Sequence, residues 1–128
     1  MKTLSDEESL PRSPQGKRDR YMQPSILMGL YLKPSYGYEL IQNIQKFGFV
    51  EGHAPPGMIY RHLRQMEEEG LVSSEWETEG AGPAKRIYKL TQDGKEMLAV
   101  WIDYMERQVL NLNELIRQYR EARGEEAP

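Results

Sequence analysis

The sequence predicts a mainly α-helical (α+β) fold in which three short helices lead into a two-stranded hairpin and a long C-terminal helix. Three observations predict it. Apolar residues recur at helical spacing between Pro24 and Met66, two alternating runs flank the turn residues Gly80, Gly82 and Pro83, and residues 95–123 contain neither proline nor glycine.

Residues 1–22 mix Ser9, Pro11, Ser13, Pro14 and Gly16 with charges of both signs and show no apolar period, so they read as a disordered arm. The segment ILMGLYL after Pro24 is the first helix, since proline is tolerated in a first turn; it stops before Lys33 and Pro34. Ser35 is placed to cap a second helix, whose buried face is Gly37, Leu40, Ile41, Ile44 and Phe47. The glycine- and proline-rich stretch GFVEGHAPPG is a loop, and Pro56 opens a third helix, MIYRHLRQMEEE. Gly70 suits a left-handed stop with Leu71 folding back on Met66.

VSSEWE and KRIYKL then form the hairpin, with Val72, Ser74 and Trp76 on one face and with Trp76 and Tyr88 expected in its core. Thr91 caps the long helix, which at 1.5 Å per residue reaches roughly 50 Å by Arg123. The divisions are a 1–22 arm, a 23–90 domain, a 91–123 helix for dimerisation and a 124–128 disordered tail.

With 128 residues the chain has room for one small domain, and a long helix that such a domain cannot cover implies a second subunit. The absence of cysteine excludes disulfides, thiolate metal clusters and a thiol nucleophile, and no stretch approaches the roughly 20 apolar residues of a membrane span. A cytoplasmic protein without membrane association, cofactor or metal is expected. Histidines occur only at His53 and His62 and match no metal or acid–base motif, which argues against an enzyme.

The net charge of −3 at first argues against a nucleic-acid partner, but it is unevenly spread. Residues 24–90 carry seven basic and eight acidic side chains, while residues 91–128 carry five and eight, so most of the excess lies at the C-terminal end.

Helix, helix, loop, helix and hairpin is the order of a winged helix-turn-helix, in which the third helix enters the major groove and the hairpin, or wing, lies beside it. Ile59, Leu63 and Met66 give that helix a buried face, leaving Gly57, Tyr60, Arg61 and Arg64 outside. Arginine can grip guanine edges or phosphates, tyrosine offers a hydroxyl, and Gly57 permits close approach at a positive helix end. Lys85 and Arg86 open the second wing strand, where they can meet phosphates. On composition alone these residues read equally as a solvated face and edge-strand protection, and an acidic winged helix could bind protein instead of DNA.

In the long helix, Ile102, Val109 and Ile116 at a positions alternate with Leu98, Met105, Leu112 and Tyr119 at d positions, a heptad seam suited to pairing two helices.

Four pieces in order, Tyr36-Gly37-Tyr38-Glu39-Leu40, Pro56-Gly57-Met58-Ile59-Tyr60, LRQMEEEGLV from Leu63, and Arg86-Ile87-Tyr88-Lys89-Leu90-Thr91, resemble the PadR family over about residues 24–105. The resemblance implies a winged-helix repressor of double-stranded operator DNA, acting as a homodimer. The candidate DNA-binding set is Tyr36, Gly57, Met58, Tyr60, Arg61, Arg64, Lys85 and Arg86. The resemblance also implies a small aromatic or lipophilic effector near the dimer helices, for which Trp101 and Tyr104 are candidate pocket residues; the alternative for Trp101 is simple core packing. Met58 and Arg61 depart from the usual pattern, so no operator sequence carries over.

Overall fold

A computed structural model describes residues 20–48, 55–78, 80 and 82–126. Most of the expected arm, with residues 1–19, lies outside the described residues, as do His53 and residues 127–128. Contacts divide the chain after Leu98 into two units.

The first unit holds the helices and the wing. Helix α1, Met22–Leu32, starts before the expected Pro24, which sits in its first turn. It is buried on nearly every side, and Gly29 gives the next helix room: a Cβ there would stand 2.7 Å from Leu40 Cδ1. Lys33, held extended before Pro34, ends it.

Ser35 does not cap the second helix. It enters a two-residue strand β1, Ser35–Tyr36, its Oγ donating to the Lys33 carbonyl at 3.1 Å. Helix α2, Gly37–Ile44, is capped in reverse: the Glu39 carboxylate accepts the Tyr36 N–H at 2.9 Å. A 3₁₀ turn over Gln45–Phe47 ends at Gly48, whose φ is 79°.

Helix α3, Pro56–Glu68, begins with proline at its first position and ends as expected. Gly70 has φ 81°, its N–H bonds the Glu67 carbonyl at 3.1 Å, and the Leu71 N–H bonds that of Met66 at 2.9 Å. Both bonds of a Schellman stop are thus made, and Met66 and Leu71 are buried together. Ile59 and Leu63 are fully buried, each stabilising the fold by about 1.5–3 kcal/mol.

Strands β2, Val72–Glu77, and β3, Lys85–Leu90, form the wing. The expected two-stranded sheet is in fact three-stranded, in the order β1-β3-β2, with Ser35 opposite Tyr88 and Ser74 opposite Tyr88 on the other side. One face runs from buried to wet: Val72 and Tyr88 are buried, but Trp76 is 62% exposed. Trp76 therefore is not wing core. The alternation is right, yet the hairpin's outer half projects past the residues that could cover its indole.

Helix α4 spans Gln92–Glu126, past the boundary expected at Arg123. Thr91 caps it as expected, its Oγ1 accepting the Gly94 N–H at 3.0 Å and donating to the Gly70 carbonyl at 2.7 Å. That second bond ties the start of α4 to the end of α3.

The second unit is the α4 segment beyond Leu98. Trp101 and Tyr104 are buried and meet edge to face at 6.0 Å. From Glu106 to Gly124 nearly every residue is exposed, including Val109, Leu112, Ile116 and Tyr119. Pairs such as Asp103 with Arg107 at 2.8 Å and Glu114 with Arg117 at 2.6 Å support its polar side. The Arg117 hydrogen bond holds the Glu114 carboxyl down at about 2.

Candidate nucleic-acid interface

Helix α3 divides by its period of 3.6. Ile59, Leu63 and Met66 are buried, whereas Gly57, Tyr60, Arg61 and Arg64 are exposed and Met58 is half-buried. The open space around Gly57 leaves the backbone of that first turn approachable. Tyr60 is 41% exposed, and its ring lies against Gly37 at the start of α2.

The wing supplies the other side. Lys85 Nζ lies 5.6 Å from the ring centre of Tyr36 and 5.9 Å from that of Tyr38, and the two rings stack at 5.7 Å with 7° between their planes. Tyr36 donates its hydroxyl to Glu77 Oε2 at 2.5 Å. That bond to a carboxylate pushes the Tyr36 phenol up to about 12.

Arg86 is held differently. Its Nε donates to Ser74 Oγ at 2.7 Å, its Nη2 reaches Glu67 Oε1 at 3.2 Å, and Ser74 Oγ donates to Glu67 Oε2 at 2.6 Å. Its guanidinium also lies 5.5 Å from the Trp76 ring centre. Successive strand residues leave a sheet on opposite sides, so Lys85 and Arg86 set out from opposite faces of β3, although both come to line one groove. Arg86 turns toward the end of α3, where Glu67 already meets its charge; Lys85 turns toward the tyrosines.

The structure thus brings Tyr36, Tyr60, Lys85 and Arg86 around one groove, together with Tyr38, Trp76 and Tyr88. Arg61 and Arg64 extend the exposed face of α3. Tyr38 and Glu77 were not singled out from sequence, and Trp76 was expected in the wing core and not in the site. For Tyr38 the signal was its spacing from Tyr36; for Glu77 it was the register that sets it opposite Lys85. Among the described residues, no group of three or more acidic or histidine side chains is placed to hold a metal ion, and no helix is long and apolar enough to cross a membrane.

Residues 26–100 match the model of the transcriptional regulator PadR-like family. The chain belongs to that family. A solved structure of a conserved protein described as a potential transcriptional factor is 34% identical, covers 86% of this chain and 99% of that one, and superposes with a TM-score of 0.66. A Bacillus subtilis PadR solved in complex with operator DNA is 25% identical over 65% of this chain and 47% of that one, with a TM-score of 0.57. A probable transcriptional regulator of Mycobacterium tuberculosis is 32% identical over 78 residues, 61% of this chain; the chain spans 41% of the length of that relative. PadR-type regulators are thus the relatives of this winged helix, and their named role is transcriptional regulation.

Proposed function

We propose that this PadR-family chain is a sequence-specific, double-stranded-DNA-binding repressor that acts as a homodimer. The observation that carries the reading is the exposed face of α3, where Tyr60, Arg61 and Arg64 stand opposite the buried Ile59, Leu63 and Met66. A helix of about 10 Å diameter fits a major groove about 12 Å wide. Gly57 and Met58 lie in the turn that would enter it first, and Tyr36 and Lys85 flank it. The operator complex of the Bacillus subtilis relative supports DNA as the partner.

The exposed heptad positions of α4, Ile102, Val109, Leu112, Ile116 and Tyr119, support the dimer, because a lone helix leaving those residues in water gains nothing from them. Two α3 helices would then read two half-sites. A small aromatic or lipophilic effector acting near Trp101 and Tyr104 relieves binding in this reading. It is tested by titrating Trp101 fluorescence in a Trp76→Phe background; silence in both fluorescence and DNA affinity across a panel of aromatic compounds removes the effector.

The decisive experiment selects bound duplexes from a random library and measures affinity at two salt concentrations. Replacing Arg61 and Arg64 together with alanine is expected to weaken binding at least about tenfold with the dimer intact. Unchanged affinity overturns the reading. The second reading, a protein-binding winged helix, is favoured by the neutral balance of the wing, where Glu75, Glu77 and Glu79 offset Lys85, Arg86 and Lys89. It predicts no selected duplex.

A further inference from the structure

We infer that Glu77 is an internal stand-in for a DNA backbone phosphate, its carboxylate occupying a seat that a duplex must empty in order to bind. The inference rests on the DNA-binding reading and names a site within it.

At the turn end of the wing lies a recess of about 100 Å³ between Tyr36, Glu77, Thr78, the turn glycines Gly80 and Gly82, and Lys85. The Tyr36 hydroxyl points into the Glu77 carboxylate at 2.5 Å, joining residues 41 apart in sequence. Lys85 is the cross-strand partner of Glu77, and its ammonium is held over the Tyr36 and Tyr38 rings. A neutral hydroxyl donor thus meets the anionic oxygen, and the cationic Lys85 lines the same recess.

A phosphate oxygen and a carboxylate oxygen take the same donors, so the arrangement fitted to one suits the other. Packing does not account for an acid here, because Glu77 is exposed. The stacked tyrosines keep the hydroxyl from turning away when the acid leaves, so the seat persists.

The consequence is a threshold. A passing phosphate gains Tyr36 and Lys85 only after Glu77 has moved, and the displaced carboxylate stays near as a like charge. Duplexes that make too few other contacts do not repay that cost, so Glu77 lowers affinity for all DNA and leaves the weakest sites unoccupied.

The test uses the full-length dimer and the duplex recovered from the random library. Glu77→Gln is expected to tighten binding about three- to tenfold. Glu75→Gln removes an equal charge two residues away on the same face of β2 and is expected to change affinity less than about twofold. In a Tyr36→Phe background most of the Glu77→Gln gain is expected to vanish, since the seat has lost its donor. The inference is overturned if Glu77→Gln is neutral or weakening, if Glu75→Gln matches it, or if the gain survives Tyr36→Phe. If the Arg61, Arg64 double variant still loses affinity in those cases, DNA binding itself stands. If no variant recovers any duplex, the DNA reading fails and this inference with it.

Discussion

The ring of Tyr60 lies over Gly37 so closely that a Cβ at that glycine would stand 2.5 Å from both the Cε1 and the hydroxyl oxygen of the tyrosine. A side chain from the third helix is therefore aimed by an absence of side chain at the start of the second. Gly37 is the seat against which Tyr60 takes its direction.

Gly37→Ala separates two effects. Alanine is the better helix former by up to about 1 kcal/mol, and Tyr60 can swing into solvent at little cost, so the melting temperature is expected to change by less than about 4 °C. Duplex affinity is expected to fall about tenfold, because Tyr60 leaves the exposed face of α3. Affinity equal to that of the parent protein would mean that Tyr60 takes no part.

Gly94→Ala is expected to harm stability instead. A Cβ there collides with the Leu71 carbonyl and stands 2.5 Å from Leu90 Cδ1. The carbonyl cannot step aside freely, since it accepts the Thr91 N–H at 3.1 Å. Overpacking of this kind costs about 1–3 kcal/mol, enough to lower the melting temperature by about 4 °C or more. A thermal melt within 1–2 °C of the parent, on the order of experimental error, would show that the α3–α4 junction yields.

These contacts mark what the chain reveals before it folds. The stop at Gly70, the cap at Thr91 and the faces of α3 were all legible, because each depends on residues within one or two turns. The third strand was not: two residues carry no alternation, and Ser35 pairs with Tyr88 far along the chain. Trp76 obeyed its period, but alternation assigns a face without saying how far along it the cover reaches. Within the site, the opposite facing of Lys85 and Arg86 follows from strand geometry alone, whereas the grip of Glu67 on Arg86, 19 residues away, depends on how the wing docks on α3.

The Tyr36 hydroxyl gives a spectroscopic handle. Its proton is held by Glu77, so the folded value of about 12 exceeds the ordinary 10. The folded state thus binds this proton more tightly; the bond's contribution to stability is complete below pH 10 and is lost as pH rises toward 12. In a difference titration of the parent against Tyr36→Phe, one phenol is expected to ionise near pH 12. Glu77→Gln is expected to bring that step down toward 10. A Tyr36 step already near 10 in the parent protein would show that the bond does not persist in solution.

The long helix gives the last prediction. Ile102 is 42% and Val109 54% exposed, one heptad apart on the a positions of α4, and neither takes part in the core of the winged helix. Pairing with a second copy would remove both from water, and a charge at either would then be buried beside its own copy across the seam. Replacing both with glutamate is accordingly expected to give folded monomers in sedimentation analysis, with the near-ultraviolet spectrum of the winged helix kept. Because a monomer must engage each half-site alone, duplex affinity is expected to fall by about a hundredfold or more. Dimers retained with Glu at both positions would move the seam to another face of α4, where Leu110 and Leu115 are also exposed.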